Sequence, residues 1–162
     1  MTQPATLDDA LALAVEQFRG VLDKAGQPYV LHLLRVMLRQ TDPQAAQVGV
    51  LHDLVEDTGM TLDDLTRRGF AKDVVAAIDA LTHREQEAYH QYVVRLSKCE
   101  LARPVKLADL EDNYSLSRVA YRPGHQAEDA ARIQRYILSY DFLLGRIDEA
   151  AYVESMQRLS AD

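Results

Sequence analysis

The stretch Val48-Gly-Val-Leu-His-Asp-Leu-Val-Glu-Asp57 is apolar enough to be buried, yet it carries His52, Asp53, Glu56 and Asp57. On a helix that turns about 100° per residue these four side chains fall within an arc of ~140°. Val48, Leu51 and Val55 lie on another side and Leu54 borders the arc, so the polar stripe reads as a wedge inside a core. Carboxylates held together out of water cost several kcal/mol each in desolvation and repel one another. Protonation, exposure to solvent or a cation among them resolves that conflict. A divalent metal also accepts a neutral imidazole, and a His and an Asp adjacent on one helix turn can both reach one ion.

A His-Asp pair arises often by chance, so the reading rests on its companions. His32 lies in the apolar run Pro28-Tyr-Val-Leu-His-Leu-Leu34, and Asp109 in Val105-Lys-Leu-Ala-Asp-Leu-Glu-Asp-Asn113. Lys106, Asp109 and Asn113 share one helix side by their i+3 and i+4 spacing. The set is His, then His-Asp, then Asp, on three successive helical regions. It supplies nitrogen and oxygen without thiolate, which suits manganese, magnesium, iron or zinc and argues against a cysteine-type structural zinc site. Four protein ligands, His32, His52, Asp53 and Asp109, leave an octahedral ion with open positions for water and a phosphate oxygen.

These blocks resemble the HD superfamily, and within it the hydrolase domain of RelA/SpoT-type proteins, which degrade the alarmone (p)ppGpp. The resemblance is carried by Lys24-Ala-Gly-Gln-Pro-Tyr-Val-Leu-His32, Leu51-His-Asp-Leu-Val-Glu-Asp-Thr58 and Val105-Lys-Leu-Ala-Asp-Leu-Glu-Asp-Asn113, in that order and spacing. Thr61-Leu-Asp-Asp-Leu65 and Ala80-Leu-Thr82 also look like the family's intervening sequence. The resemblance implies an all-α helical bundle of the HD type. It implies His32, His52, Asp53 and Asp109 as metal ligands, usually to manganese. Glu56 and Asp57 match the acidic pair that activates or orients the attacking water. Asn113 matches a residue near sugar and phosphates, and Lys24 part of a basic segment along the nucleotide pocket. Lys106 is a further candidate for phosphate, as are Arg95 and Lys98. The size is similar to stand-alone small alarmone hydrolases, so no synthetase domain is expected.

The implied function is a metal-dependent phosphohydrolase resembling guanosine-3′,5′-bis(diphosphate) 3′-pyrophosphohydrolase. An HD phosphatase on another nucleotide, such as a nucleoside monophosphate or NADPH, stays open, as does a nucleotide-binding regulatory module without catalysis. The departures bear on the substrate. Phe18 stands at the family's early histidine, and Asp23 at the basic residue that stacks on guanine. Leu33 stands at its usual proline, and Asp112 at the usual histidine before Asn113.

Helical periodicity dominates the elements that must position these groups. A capping-box pattern at Thr6 and Asp9 opens a helix over 7–19, and Gly26-Gln27-Pro28 sets up another over 29–40. Asp42-Pro43 starts a helix expected to run to Thr58-Gly59, carrying His52 through Asp57 without a break. A short helix follows Thr61 and stops at Gly69. Residues 72–82, 86–99 and 104–119 read as three more, Arg122-Pro123-Gly124 as a loop, and 126–144 and 148–159 as the last two. No segment alternates apolar and polar residues long enough for a strand. The expectation is one domain over 1–162, with a core at about 6–120 and added helices at about 126–160. The amphipathic segment from Ile133 to Leu144 is expected either to close that core or to form a homodimer surface.

The 162 residues suit one domain, and with 48% apolar residues they can bury a core. With a formal charge of −7 and Arg67-Arg68 the only adjacent basic pair, no nucleic-acid duplex is expected as a partner, although a metal and a few basic groups can draw a small anionic nucleotide. No run of ~18 apolar residues exists, so no membrane partner is expected. Asp8 and Asp9 near the start argue against a secretory signal. The lone Cys99 fits a reducing cytoplasm.

Overall fold

Side-chain caps set the beginnings of several helices. In the computed structural model, which describes residues 4–115 and 121–161, Thr6 and Asp9 exchange reciprocal bonds at the start of α1 (Leu7–Gln17). Asp42 accepts from the amides of Gln44 and Ala45 at 2.9 and 2.8 Å and, with Pro43 in the first turn, opens α3 (Pro43–Leu51). Thr61 and Asp64 repeat the box for α5 (Leu62–Arg67). Each device satisfies amides that a helix start leaves unpaired. The remaining helices are α2 (Val30–Leu38), α4 (Leu54–Asp57), α6 (Lys72–Leu81), α7 (Tyr89–Ser97), α8 (Ala102–Tyr114), α9 (Gln126–Leu143) and α10 (Glu149–Ala161). No strand forms among the described residues, so the fold is all-α. No helix among them is long and apolar enough to cross a membrane.

The expected continuous helix over 43–58 is corrected. It breaks at His52-Asp53, where Asp53 adopts φ −95° and ψ 0°, and resumes as α4. The stripe is therefore not one buried wedge: His52 is buried, Asp53 is partly buried, and Glu56 and Asp57 are exposed. Neither glycine nor proline marks the break. The helix expected at 86–99 begins only at Tyr89, because residues 82–88 form a separate loop. The helix expected at 104–119 starts at Ala102, and its expected stretch over 116–119 lies outside the described residues.

α3 is the central element. Ala45, Ala46, Val48, Gly49, Val50 and Leu51 are all buried, as expected of a helix surrounded on every side. It packs against α1, α2, α6 and α8. α8 belongs to two apolar clusters: Val105 and Ala108 join the one built on α1 to α6, and Leu110 joins Tyr92, Leu96, Leu143, Tyr152 and Met156. The helices that carry His32, His52 and Asp109 are thus pinned to each other by aliphatic packing. Gly49 permits the close crossing of α2 over α3, since a Cβ there would stand 3.0 Å from Met37 Cα and 3.2 Å from its N. Backbone atoms cannot yield as a flexible side chain does. Gly49→Val is expected to destabilise the chain by about 1–3 kcal/mol through overpacking, measured as a lowered urea midpoint at unchanged m-value.

Candidate functional site

α2 supplies His32, the end of α3 and the following turn supply His52 and Asp53, and α8 supplies Asp109. His32 Nε2 lies 3.3 Å from Asp109 Oδ1 and 3.7 Å from Asp53 Oδ2. His52 Nε2 lies 3.1 Å from Asp53 Oδ2 and 3.7 Å from Asp109 Oδ1. The candidate ligand atoms of His32, His52 and Asp109 all lie within 4.8 Å of one another, and the three residues are buried. The turn at 52–53 is what brings the Asp53 carboxylate beside the imidazole that precedes it.

The outer ring nitrogens settle the tautomers. His52 Nδ1 is 2.8 Å from the Gly49 carbonyl oxygen, which only accepts, so Nδ1 is the donor. Its Nε2 is buried and has no hydrogen-bond partner. His32 Nδ1 likewise donates to Asp112 Oδ2 at 2.6 Å. A neutral His32 and His52 would therefore each aim an Nε2 lone pair at two carboxylates. That arrangement is repulsive unless a proton or a cation sits between them. The orphaned His52 nitrogen and a donor set of imidazole and carboxylate fit a divalent metal ion.

Protons compete for the same place. Burial opposes a charge on His32, but its bonds to Asp109, Asp112 and Asp53 outweigh that and raise its pKa to about 9. His52 is also raised, the nearby Asp53 and Asp109 overcoming burial. Against their own burial, Asp53 is held well below the carboxylate range chiefly by His52, and Asp109 chiefly by Lys106.

Other side chains fix the carboxylates. The Tyr29 hydroxyl donates to Asp53 Oδ2 at 2.6 Å. Asn113 Nδ2 donates to Asp109 Oδ1 at 2.6 Å and Lys106 Nζ to Oδ2 at 2.8 Å. Lys106, expected beside a substrate phosphate, is thus committed to Asp109, with its ammonium 5.3 Å from the centre of the Tyr92 ring. Arg95 is also placed away from that role. It binds Glu87 and the carbonyls of Asp79, Ala80 and Thr82, tying down the 82–88 loop. Lys98 is exposed at the end of α7. Glu56 Oε2 accepts from the amide of His83 in that loop at 2.9 Å. Burial, then the charges of Asp53 and Glu56, push the Asp57 carboxyl up from its ordinary value.

Beside this cluster lies a cavity of about 530 Å3 whose lining includes Lys24, Tyr29, Asp57 and Asn113. Arg122, Arg132 and Tyr136 close it from the C-terminal part of the chain. No sequence motif pointed to those three, because their chemistry depends on where α9 packs. Phe18 and Asp23 also line it. Phe18 stacks on Tyr29 with ring centroids 5.2 Å apart, and Asp23 Oδ1 accepts from the amides of Ala25 and Gln27, each at 2.9 Å. Asp112 was visible only as a departure, although Asp109, Asp112 and Asn113 share the spacing of one helix side.

No family model matches the chain. A GTP pyrophosphokinase from Streptomyces coelicolor is 30% identical over 143 residues, covering 80% of this chain and 17% of that protein. A guanosine-3′,5′-bis(diphosphate) 3′-pyrophosphohydrolase from Borreliella burgdorferi is 31% identical over 77 residues, covering 45% of this chain and 11% of that protein. The chain belongs to the RelA/SpoT type of HD domain. It spans less than a fifth of the length of either relative. A solved metazoan orthologue of SpoT, described as hydrolysing ppGpp, shares the fold with a TM-score of 0.68 at 20% identity, covering 98% of this chain and 97% of that one.

A divalent cation present at 100 times its dissociation constant should stabilise this RelA/SpoT-type domain by about 2.7 kcal/mol through mass action. The rise in Tm should vanish in Asp109→Asn; an equal rise in that variant would remove Asp109 from the ligand set. With EDTA present, the raised histidine pKa values contribute stability that is complete below the ordinary pKa of 6.5 and lost as pH rises through about 9. Thermal melts of the metal-free chain should therefore fall across that window, and His32→Asn should flatten the fall.

Proposed function

We propose that this chain is a metal-dependent phosphohydrolase that removes the 3′-diphosphate from guanosine-3′,5′-bis(diphosphate) in the cytoplasm, with Mn2+ as its cation. The observation that carries the reading is the orphaned Nε2 of buried His52 facing Asp53 and Asp109, beside His32 and one wall away from a cavity with basic groups. His32, His52, Asp53 and Asp109 would hold the ion. When bound, it supplies Lewis acidity, lowering the pKa of water and neutralising phosphate charge.

The chain's own groups supply orientation and proton transfer. Tyr29 holds Asp53, while Lys106 and Asn113 hold both oxygens of Asp109, so neither carboxylate can rotate away. The His83 amide fixes Glu56 at the edge of the site. Glu56 and Asp57 lie where they can take the proton from the attacking water, and burial with the charges of Asp53 and Glu56 raises the Asp57 carboxyl, which favours its holding a proton. Water oxygen bonds to the phosphorus next to the 3′ oxygen, that P–O bond breaks, pyrophosphate leaves and the 3′ oxygen is protonated. Lys24, Arg122 and Arg132 face the phosphates. The last two share Asp129, so that pair keeps one net positive charge and Lys24 adds a second.

Asp23 favours a second reading, hydrolysis of another nucleotide. Its carboxylate caps its own turn, where the family places a cation stacked on guanine, and a carboxylate cannot replace a guanidinium there.

Release of phosphate and pyrophosphate should be measured on guanosine-3′,5′-bis(diphosphate), nucleoside monophosphates and NADPH, with and without Mn2+. Mn2+-dependent pyrophosphate release from the first alone supports the main reading; turnover of a different nucleotide selects the second; no turnover rejects both. Glu56→Gln should retain Mn2+ and lose about 100-fold or more in kcat, the usual scale of general-base removal.

A further inference from the structure

Each candidate ligand on α2 and α8 is followed three residues later by a charged side chain of the same helix side: Arg35 after His32, and Asp112 after Asp109. α2 and α8 pack together, and these followers meet. Asp112 is 3% exposed. Its Oδ2 accepts the His32 Nδ1 proton at 2.6 Å, its Oδ1 accepts Arg35 Nε at 2.6 Å, and Arg35 Nη2 lies 3.2 Å from Oδ2. Arg35 itself is 41% exposed, so the line runs from solvent to the metal cluster in two links.

We propose that Arg35 and Asp112 are a positioning pair for His32, locking its proton on Nδ1 and aiming Nε2 at the cation position between Asp53 and Asp109. This inference rests on the metal-centre reading. A buried carboxylate is tolerated only when paired and hydrogen-bonded, and Arg35 supplies that pairing with two bonds. The ionised Asp112 then acts as a stronger acceptor for the ring proton than a neutral carbonyl does. It withdraws that proton and so enriches the opposite nitrogen as a ligand. His52 is backed by the Gly49 carbonyl instead. The two imidazoles are therefore unequal ligands, His32 the stronger and orientationally fixed, His52 the weaker.

A purely structural Arg–Asp bond between α2 and α8 would make the same contacts, so the test needs a reading that bracing alone leaves untouched. Mn2+ titrations by calorimetry on the full chain should compare wild type, Asp112→Asn, Arg35→Met and the double variant. Nitrogen-15 spectra of His32 should be recorded on the same proteins without metal. Asp112→Asn should weaken Mn2+ binding about 10- to 100-fold, the range for loss of such a supporting group. Arg35→Met should weaken it less, and the double variant should match Asp112→Asn alone, because Arg35 acts through Asp112. The downfield Nδ1 proton of His32 should be lost in Asp112→Asn, with the His52 signal unchanged. Wild-type uptake with equal affinity in Asp112→Asn, or additive losses in the double variant, overturns the inference alone. A wild type that takes up no cation overturns the metal centre and the inference with it. Should Asp112→Asn fail to fold, Arg35→Met decides the matter: unchanged affinity and an unchanged His32 resonance count against the pair.

Discussion

The structure turns on an electrostatic conflict placed deliberately in its interior. The Nε2 atoms of two buried imidazoles face two carboxylates, all within a few ångströms. Such a cluster is costly in a low-dielectric core unless a positive charge joins it. Much of the surrounding polar structure limits that cost. Lys106 and Asn113 hold Asp109, Tyr29 holds Asp53, and Arg35 compensates Asp112. The aliphatic packing of α3 against four neighbouring helices keeps these groups from relaxing apart.

The break at His52-Asp53 explains how one short segment serves two purposes. Along an unbroken helix, His52, Asp53, Glu56 and Asp57 would form a single polar stripe in one environment. With the turn, His52 stays buried at the end of α3, while Glu56 and Asp57 emerge exposed on α4, Asp57 at the cavity. The imidazole suited to holding a cation is thereby dry, Asp53 beside it is partly buried, and the carboxylates suited to exchanging protons with water are exposed. The loop over 82–88, clamped by Arg95, contributes to the second set by giving an amide to Glu56.

Two of the chain's departures from the family pattern, Phe18 and Asp23, line the cavity. Phe18 fills its place by stacking on Tyr29, whose hydroxyl in turn holds Asp53. Asp23 uses its carboxylate to close the turn before Tyr29. Both residues therefore support the scaffold of the site. Arg122, Arg132 and Tyr136 line the same cavity as Lys24, so cationic groups of α9 and its preceding loop share it with the N-terminal part of the chain.

Local signals along the chain were enough to read the helical class, most helix starts, and the His, His-Asp and Asp residues that converge. Caps, prolines and apolar periodicity act over a few residues, and the order and spacing of three motifs tie this chain to a known family. The sequence by itself did not determine the break at 52–53, which carries no glycine or proline. Nor did it show that Lys106 serves Asp109, that Arg95 clamps a loop, or that Asp112 stands behind His32. A charged side chain at helical spacing has several partners within reach, and only the crossing of α2, α3 and α8 selects one. The arginines of the cavity wall were hidden for the same reason: their role comes from where α9 lies against α8, a relation between distant segments that no local pattern records.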